Sequence, residues 1–215
     1  EDLRADRQPE HTQIDIEVSF MDTGEIRSLI EGLFVAMFAA VGETLEAPFP
    51  VLTYDEAMLR YGSDKPDLRY GFEIVELSDT FAGSGFQVFR GAVDAGGCVR
   101  AIRAPGAAAL SRARIDALAD VAKANGAKGM AYVYVEEGRA LRGPVVKFLS
   151  EAEQRAVVER TAADPGDLIV FAADQACVAA AVLGALRAEL IARLAPAPSR
   201  RRAPLWVVEF PLFEI

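Results

Sequence analysis

Arg4 and Arg7 stand among Glu1, Asp2 and Asp6 in a short mixed-charge run at the head of the chain, EDLRADRQPEHTQIDIEVSF. Arginines in a loop can hold phosphate oxygens, and neighbouring acids can accept hydrogen bonds from the donors of a base. Just downstream, His11, Gln13, Asp15 and Glu17 alternate with Ile14, Ile16, Val18 and Phe20. A period of two is strand spacing, so His11 to Phe20 is expected to form a β-strand with one apolar and one polar face. On that strand Asp15 and Glu17 would lie on the same side, about 7 Å apart. Paired carboxylates can hold an ammonium group or a divalent metal, or perform acid–base work. His11 is the only histidine of the chain and shares this face. Its flat ring can stack on a base or plug the sheet edge. Four successive polar positions are equally the solvated face of a sheet. The residues by themselves reach as far as a polar pocket on a sheet beside an anion-binding loop.

The elements that would carry this pocket follow at once. From Asp22, apolar residues recur at three and four spacing (Ile26, Leu29, Ile30, Leu33, Phe34, Met37, Phe38), which predicts a helix with one broad apolar face, ended at Gly42. Thr53 followed by Glu56 is a capping box and predicts a helix to about Tyr61. GSDKPDLRYG is rich in turn formers and charge, so a turn is expected around Lys65. The stretch beyond it reads as a separate α+β unit. Strands are expected at Phe72–Leu77, Gln87–Phe89, Cys98–Ile102, Met130–Val135, Val145–Leu149 and Leu168–Ala172. Helices are expected after Ser111 to Asn125-Gly126, over about Glu151–Thr161, and over an Ala-rich run from about Ala176 to Leu194. APAPSRRRAP reads as a solvated linker, and Leu205 to Phe213 as a last strand. Strands and helices alternate irregularly, so antiparallel pairing and an α+β class are expected.

Bulk properties narrow the classes. The 215 residues are 52% apolar and 26% charged, with a formal net charge of −9. That is a globular composition with no overall attraction for nucleic acid, so any RNA contact must be local. Cys98 and Cys177 are far apart and show no zinc-site spacing, which points to no metal site and to reduced thiols. The first residue is not Met, no leader-like run follows, and Ala176–Leu186 is too short to span a bilayer. The expectation is a cytoplasmic protein without membrane contact, cut from something longer.

EDLRADRQPEHTQIDIEVSF resembles motif 2 of class II aminoacyl-tRNA synthetases, specifically the bacterial-type aspartyl-tRNA synthetases. RYGSDKPDLRYGFE and PLWVVEFPLFE resemble two further segments of the same enzymes in the expected order. The region between resembles their GAD insertion domain, so the resemblance covers the whole chain. It implies part of an antiparallel-sheet catalytic core, residues 1–69, interrupted by an α+β GAD-type insertion over 70–199. Residues 200–215 would be the return linker and a core strand.

The implied activity is aspartate–tRNA ligation: activation of L-aspartate with ATP, then transfer to the 3′ end of tRNA. The family pattern is Arg-x-Glu, a variable loop, then Arg-x-x-x-Phe-x-x-x-Asp. Glu1 matches the first Glu, while Arg7 and Asp15 match the second element. The resemblance implies ATP contacts at Glu1, Gln8 and His11, an aspartate pocket at Gln13 and Asp15, and tRNA acceptor contacts at Asp2, Arg4 and Arg7. Asp15 would meet the substrate's α-ammonium group. His11 departs from the pattern, standing where the family carries an adenine-stacking Phe. Mg²⁺ ligands are expected outside this chain, the parent enzyme is expected to be a homodimer, and the chain by itself is expected to be inactive. Two other readings stay beside this one: a non-catalytic GAD-type RNA-binding or scaffold module, and a carboxylate–metal hydrolase built on Asp15 and Glu17.

Overall fold

The computed structural model describes residues 10–213. The chain divides into two compact units, Glu1–Phe49 and Pro50–Ile215.

In the first unit, helix α1 spans Thr23–Ala40. Asp22 caps it: its carboxylate accepts the Glu25 amide at 2.9 Å, and the Glu25 carboxylate accepts the Asp22 amide at 2.8 Å. This reciprocal pairing satisfies two of the donors that a helix start leaves open. Glu31 is the buried residue of α1, and it accepts the Phe49 amide at 3.1 Å.

The strand expected over His11–Phe20 is not formed; residues 10–22 are irregular. A strand is held by hydrogen bonds to a neighbour, and no described strand pairs with this stretch. Its apolar side therefore stays exposed, Ile14 at 66% and Phe20 fully. Alternation marks which residues would share a face, but it does not supply the partner.

The second unit begins with β1 (Val51–Thr53) and α2 (Tyr54–Tyr61), joined by the expected Thr53–Glu56 capping box. There follow β2 (Ile74–Glu76), α3 (Ser78–Phe81), α4 (Gln87–Asp94) and β3 (Cys98–Ala104). Next come α5 (Arg112–Ala124), β4 (Ala131–Val135), β5 (Leu141–Arg142) and α6 (Glu151–Thr161). The unit closes with β6 (Leu168–Asp174), α7 (Ala176–Leu194) and β7 (Trp206–Val208). Five strands form one antiparallel sheet in the order β2-β3-β6-β4-β5, while β1 and β7 pair in parallel apart from it. The chain is thus α+β.

Each long strand serves two cores, because successive side chains point to opposite faces. Cys98, Ile102 and Ala104 of β3, with Leu168, Val170 and Ala172 of β6, meet α5 and α7. Val99, Ala101, Ile169 and Phe171 face the other way, toward Phe81, Phe89 and Val157. This double burial explains the continuous apolar run in β6.

Two expected strands are helical. Gln87–Phe89 lies in α4, and Phe89 and Val93 of the helix, with Phe86 just before it, face this second core at three and four spacing. Phe89 packs against Phe81 and Phe171 at centroid distances of 4.7 and 5.3 Å. Val145–Leu149 closes into a 3₁₀ turn, with the amides of Phe148 and Leu149 bonding the carbonyls of Val145 and Val146. The last strand is also shorter than expected, since only Trp206–Val208 finds a partner.

Candidate functional site

His11, Gln13 and Asp15 lie in the irregular stretch before α1, and all three side chains are exposed. Glu17 is exposed as well. Among the described residues they make no hydrogen bond or ion pair with one another. What this stretch offers is a planar ring, an amide and a carboxylate on alternate residues, all open to a ligand. Such groups can stack on a base, hydrogen-bond a polar side chain and hold an ammonium group. The left-handed turn at Phe20 (φ 60°) and the capped start of α1 fix where the stretch ends. Glu1, Asp2, Arg4, Arg7 and Gln8 lie outside the described residues.

The most tightly built polar assembly is in the second unit, where the turn-rich segment after α2 meets α7. Arg187 of α7 is buried, 5% exposed. Its guanidinium donates to four backbone carbonyls: Phe72 at 3.1 Å, Asp67 at 2.8 Å, and Tyr70 and Gly71 at 3.0 Å each. It also lies 5.1 Å over the Tyr61 ring. A fork of five donors suits this work, since one side chain fastens a whole irregular loop. Desolvation pulls the Arg187 pKa down from its ordinary value, yet an arginine stays charged.

Around Arg187, Asp67 accepts from Arg69 through both oxygens, Nε to Oδ1 and Nη2 to Oδ2, and Arg60 and the Tyr61 hydroxyl donate to Glu73. The Arg69 hydrogen bonds hold Asp67 below its usual carboxylate range, and the Arg60 hydrogen bond does the same for Glu73. Groups with depressed folded pKa stabilise fully above their unfolded values, and that contribution drains as pH falls through the folded values. The melting temperature is therefore expected to drop as pH is lowered below about 4. Asp67→Asn should flatten that slope, and melts followed by circular dichroism across an acid series would show it. Equal slopes for the two proteins would remove Asp67 from the account.

Glycine makes the approach of the two segments possible. A Cβ at Gly184 of α7 would lie 2.2 Å from the Gly62 carbonyl oxygen, and one at Gly62 would lie 2.3 Å from the Ala180 carbonyl. Gly62 also ends α2 in the left-handed region, φ 65°. Further on, Ser199 closes the assembly: its amide and hydroxyl both donate to the Arg69 carbonyl, at 2.8 and 3.0 Å.

The Ala-rich pattern predicts a helix over about Ala176 to Leu194 but assigns no role to Arg187. A single arginine inside LGALRAELI, on the stripe shared with Leu183 and Leu190, was the available signal. Cys98 and Cys177 are unpaired; burial raises the Cys98 pKa, which keeps its thiol protonated. Among the described residues no three His, Cys, Asp or Glu side chains converge on a possible metal position. No helix among them is long and apolar enough to cross a membrane.

Comparison with known proteins adds to this geometry. Residues 89–183 match the family described as GAD domain. Across 215 residues the chain is 51% identical to a Symbiobacterium thermophilum protein named aspartate--tRNA(Asp/Asn) ligase. It is 49% identical to the protein of that name from Syntrophomonas wolfei. Across 216 residues it is 50% identical to the Geobacillus kaustophilus aspartate--tRNA ligase. Each alignment takes in 100% of this chain and 36% of the relative, so the chain spans about a third of their length.

Proposed function

We propose that the protein to which this chain belongs is an aspartate–tRNA ligase, and that the chain contributes motif 2 and a GAD insertion to it. The supporting observation is identity near one half over the entire chain, not over the GAD domain alone. That continuity on both sides of residues 89–183 disfavours a detached scaffold module. In the proposed domain plan, residues 1–69 and 200–215 belong to a class II catalytic core and 70–199 to the insertion.

The reaction has two steps. The aspartate α-carboxylate attacks the α-phosphorus of ATP, forming aspartyl-adenylate and releasing pyrophosphate. The terminal adenosine hydroxyl of tRNA then attacks the adenylate carbonyl, and AMP leaves. Such chemistry depends on positioning and on neutralising phosphate charge, which suits a site of arginines, amides and carboxylates.

In this reading Asp15 holds the substrate ammonium group and Gln13 lines the aspartate pocket. His11 stacks on adenine, Gln8 and Glu1 contact ATP, and Asp2, Arg4 and Arg7 meet the tRNA acceptor end. Mg²⁺ would neutralise phosphate charge, and the described residues bring together no cluster to hold it. The enzyme would work in the cytoplasm as a homodimer.

The test is aspartate-dependent exchange of pyrophosphate into ATP by the full-length protein, with tRNA omitted. Exchange with aspartate, and not with asparagine or glutamate, is the expected result. No exchange with any amino acid, from folded protein with Mg²⁺ present, would reject the reading. The 215-residue chain alone should give none.

A further inference from the structure

The part of the sheet farthest from β2 carries a group of side chains that neither core uses fully. Tyr132 and Tyr134 of β4 point to one face and are only partly buried, because α7 lies over β3 and β6 and α5 packs on α7. Their rings meet edge-on at 5.5 Å. On the neighbouring β5, Arg142 sits opposite Tyr134 and lays its guanidinium 4.5 Å over that ring. Arg112, at the start of α5, is close enough for its charge to act on both phenols.

Each arginine is tethered by one atom. Arg112 Nε donates to Asp116 at 3.0 Å, and Arg142 Nε donates to Glu136. Among the described residues no hydrogen bond takes the Nη groups of either, and the two side chains are 81% and 58% exposed. The carboxylates thus aim each fork while its outer donors stay open. Charge distribution agrees: residues 89–183 hold 12 of the 23 Lys and Arg but only 11 of the 32 Asp and Glu. The domain is close to neutral, while residues 1–88 carry most of the acidity of the chain.

We propose that Tyr132, Tyr134, Arg112 and Arg142 form a contact surface for an unpaired RNA strand on the GAD domain. Phosphate oxygens take the open Nη donors, and a base stacks on the uncovered part of the Tyr132 ring or on the outer face of the Arg142 guanidinium. Tyr132 and the Arg142 guanidinium over Tyr134 are neighbours on one sheet face, so the two stacking positions lie side by side. An acidic peptide would use the arginines but would leave the tyrosines idle. The proposal rests on the ligase reading, since tRNA is then the RNA at hand.

The experiment uses the full-length protein with its tRNA and with an unstructured RNA oligonucleotide. Two variants are compared with the parent, Arg112→Ala/Arg142→Ala and Tyr132→Leu/Tyr134→Leu, the leucines keeping the apolar packing. Each should raise Kd for both RNAs about tenfold, and the arginine variant should lower the slope of log K against log salt by about one to two. Aspartate-dependent pyrophosphate exchange without tRNA should stay at the parent level. Unchanged Kd and salt slope in folded variants with normal exchange would overturn the proposal and leave the ligase reading standing. The same holds if the parent fails to bind the oligonucleotide, or if the variants lose only a protein partner. Absent exchange in the parent would instead remove the ligase reading.

Discussion

Replacing Asp15 by alanine in the full-length protein is expected to cut kcat/KM for aspartate by about 10²–10³-fold in pyrophosphate exchange. The reasoning starts from the substrate. An α-ammonium group drawn into a binding site loses its hydration and needs a fixed carboxylate in exchange. Removing one partner of such a desolvated pair costs about 3–5 kcal/mol, and each 1.4 kcal/mol is a factor of ten. Asn in place of Asp15 keeps the shape and an acceptor oxygen but not the charge, so it should fall between. The structure supplies the control that makes this result interpretable. Asp15 is exposed in an irregular stretch, so its loss should leave the melting temperature unmoved. Kinetics equal to the parent's would withdraw the role given to Asp15.

The second large effect lies in folding. In an open helix, exchanging Gly for Ala stabilises by about 1 kcal/mol. At Gly184 the sign should reverse. The new Cβ would stand 2.2 Å from the carbonyl oxygen of Gly62, and that oxygen belongs to backbone capped at the end of α2. No side-chain rotation relieves it; α7 must move away from the segment that Arg187 fastens. Overpacking of this kind costs about 1–3 kcal/mol. For a chain of this size that is a fall in melting temperature of up to about 10 °C for Gly184→Ala. Valine should be worse. A melting temperature unchanged or raised in Gly184→Ala would show that the contact is looser than described.

How much of this could be read beforehand divides along physical lines. Helices with a capping signal and a long apolar rhythm were legible: the Thr53 box before α2 and the Ala-rich run that became α7 both stand where the residues place them. Short apolar pieces were not. Gln87–Phe89 carries too few residues to tell a period of two from one of 3.6, and its packing on Phe81 and on Phe171, more than eighty positions on, decides it. His11–Phe20 carried a clear alternation, yet a strand is a relation between two segments and the second is not among the described ones. Arg187 was hidden for a related reason. Its partners are carbonyl oxygens of a loop more than a hundred positions away, and backbone oxygens leave no mark in a sequence.

The closing contact between Arg69 and Ser199 has a consequence beyond stability. Residues 130 positions apart share hydrogen bonds at 2.8 and 3.0 Å, so the chain leaves and returns through what is nearly a single point. A segment stitched in this way resembles a page bound at one edge. One short turn could join its two ends, while Arg187 and Gly184 still tie its last helix to Asp67 and Gly62 on the near side of the seam.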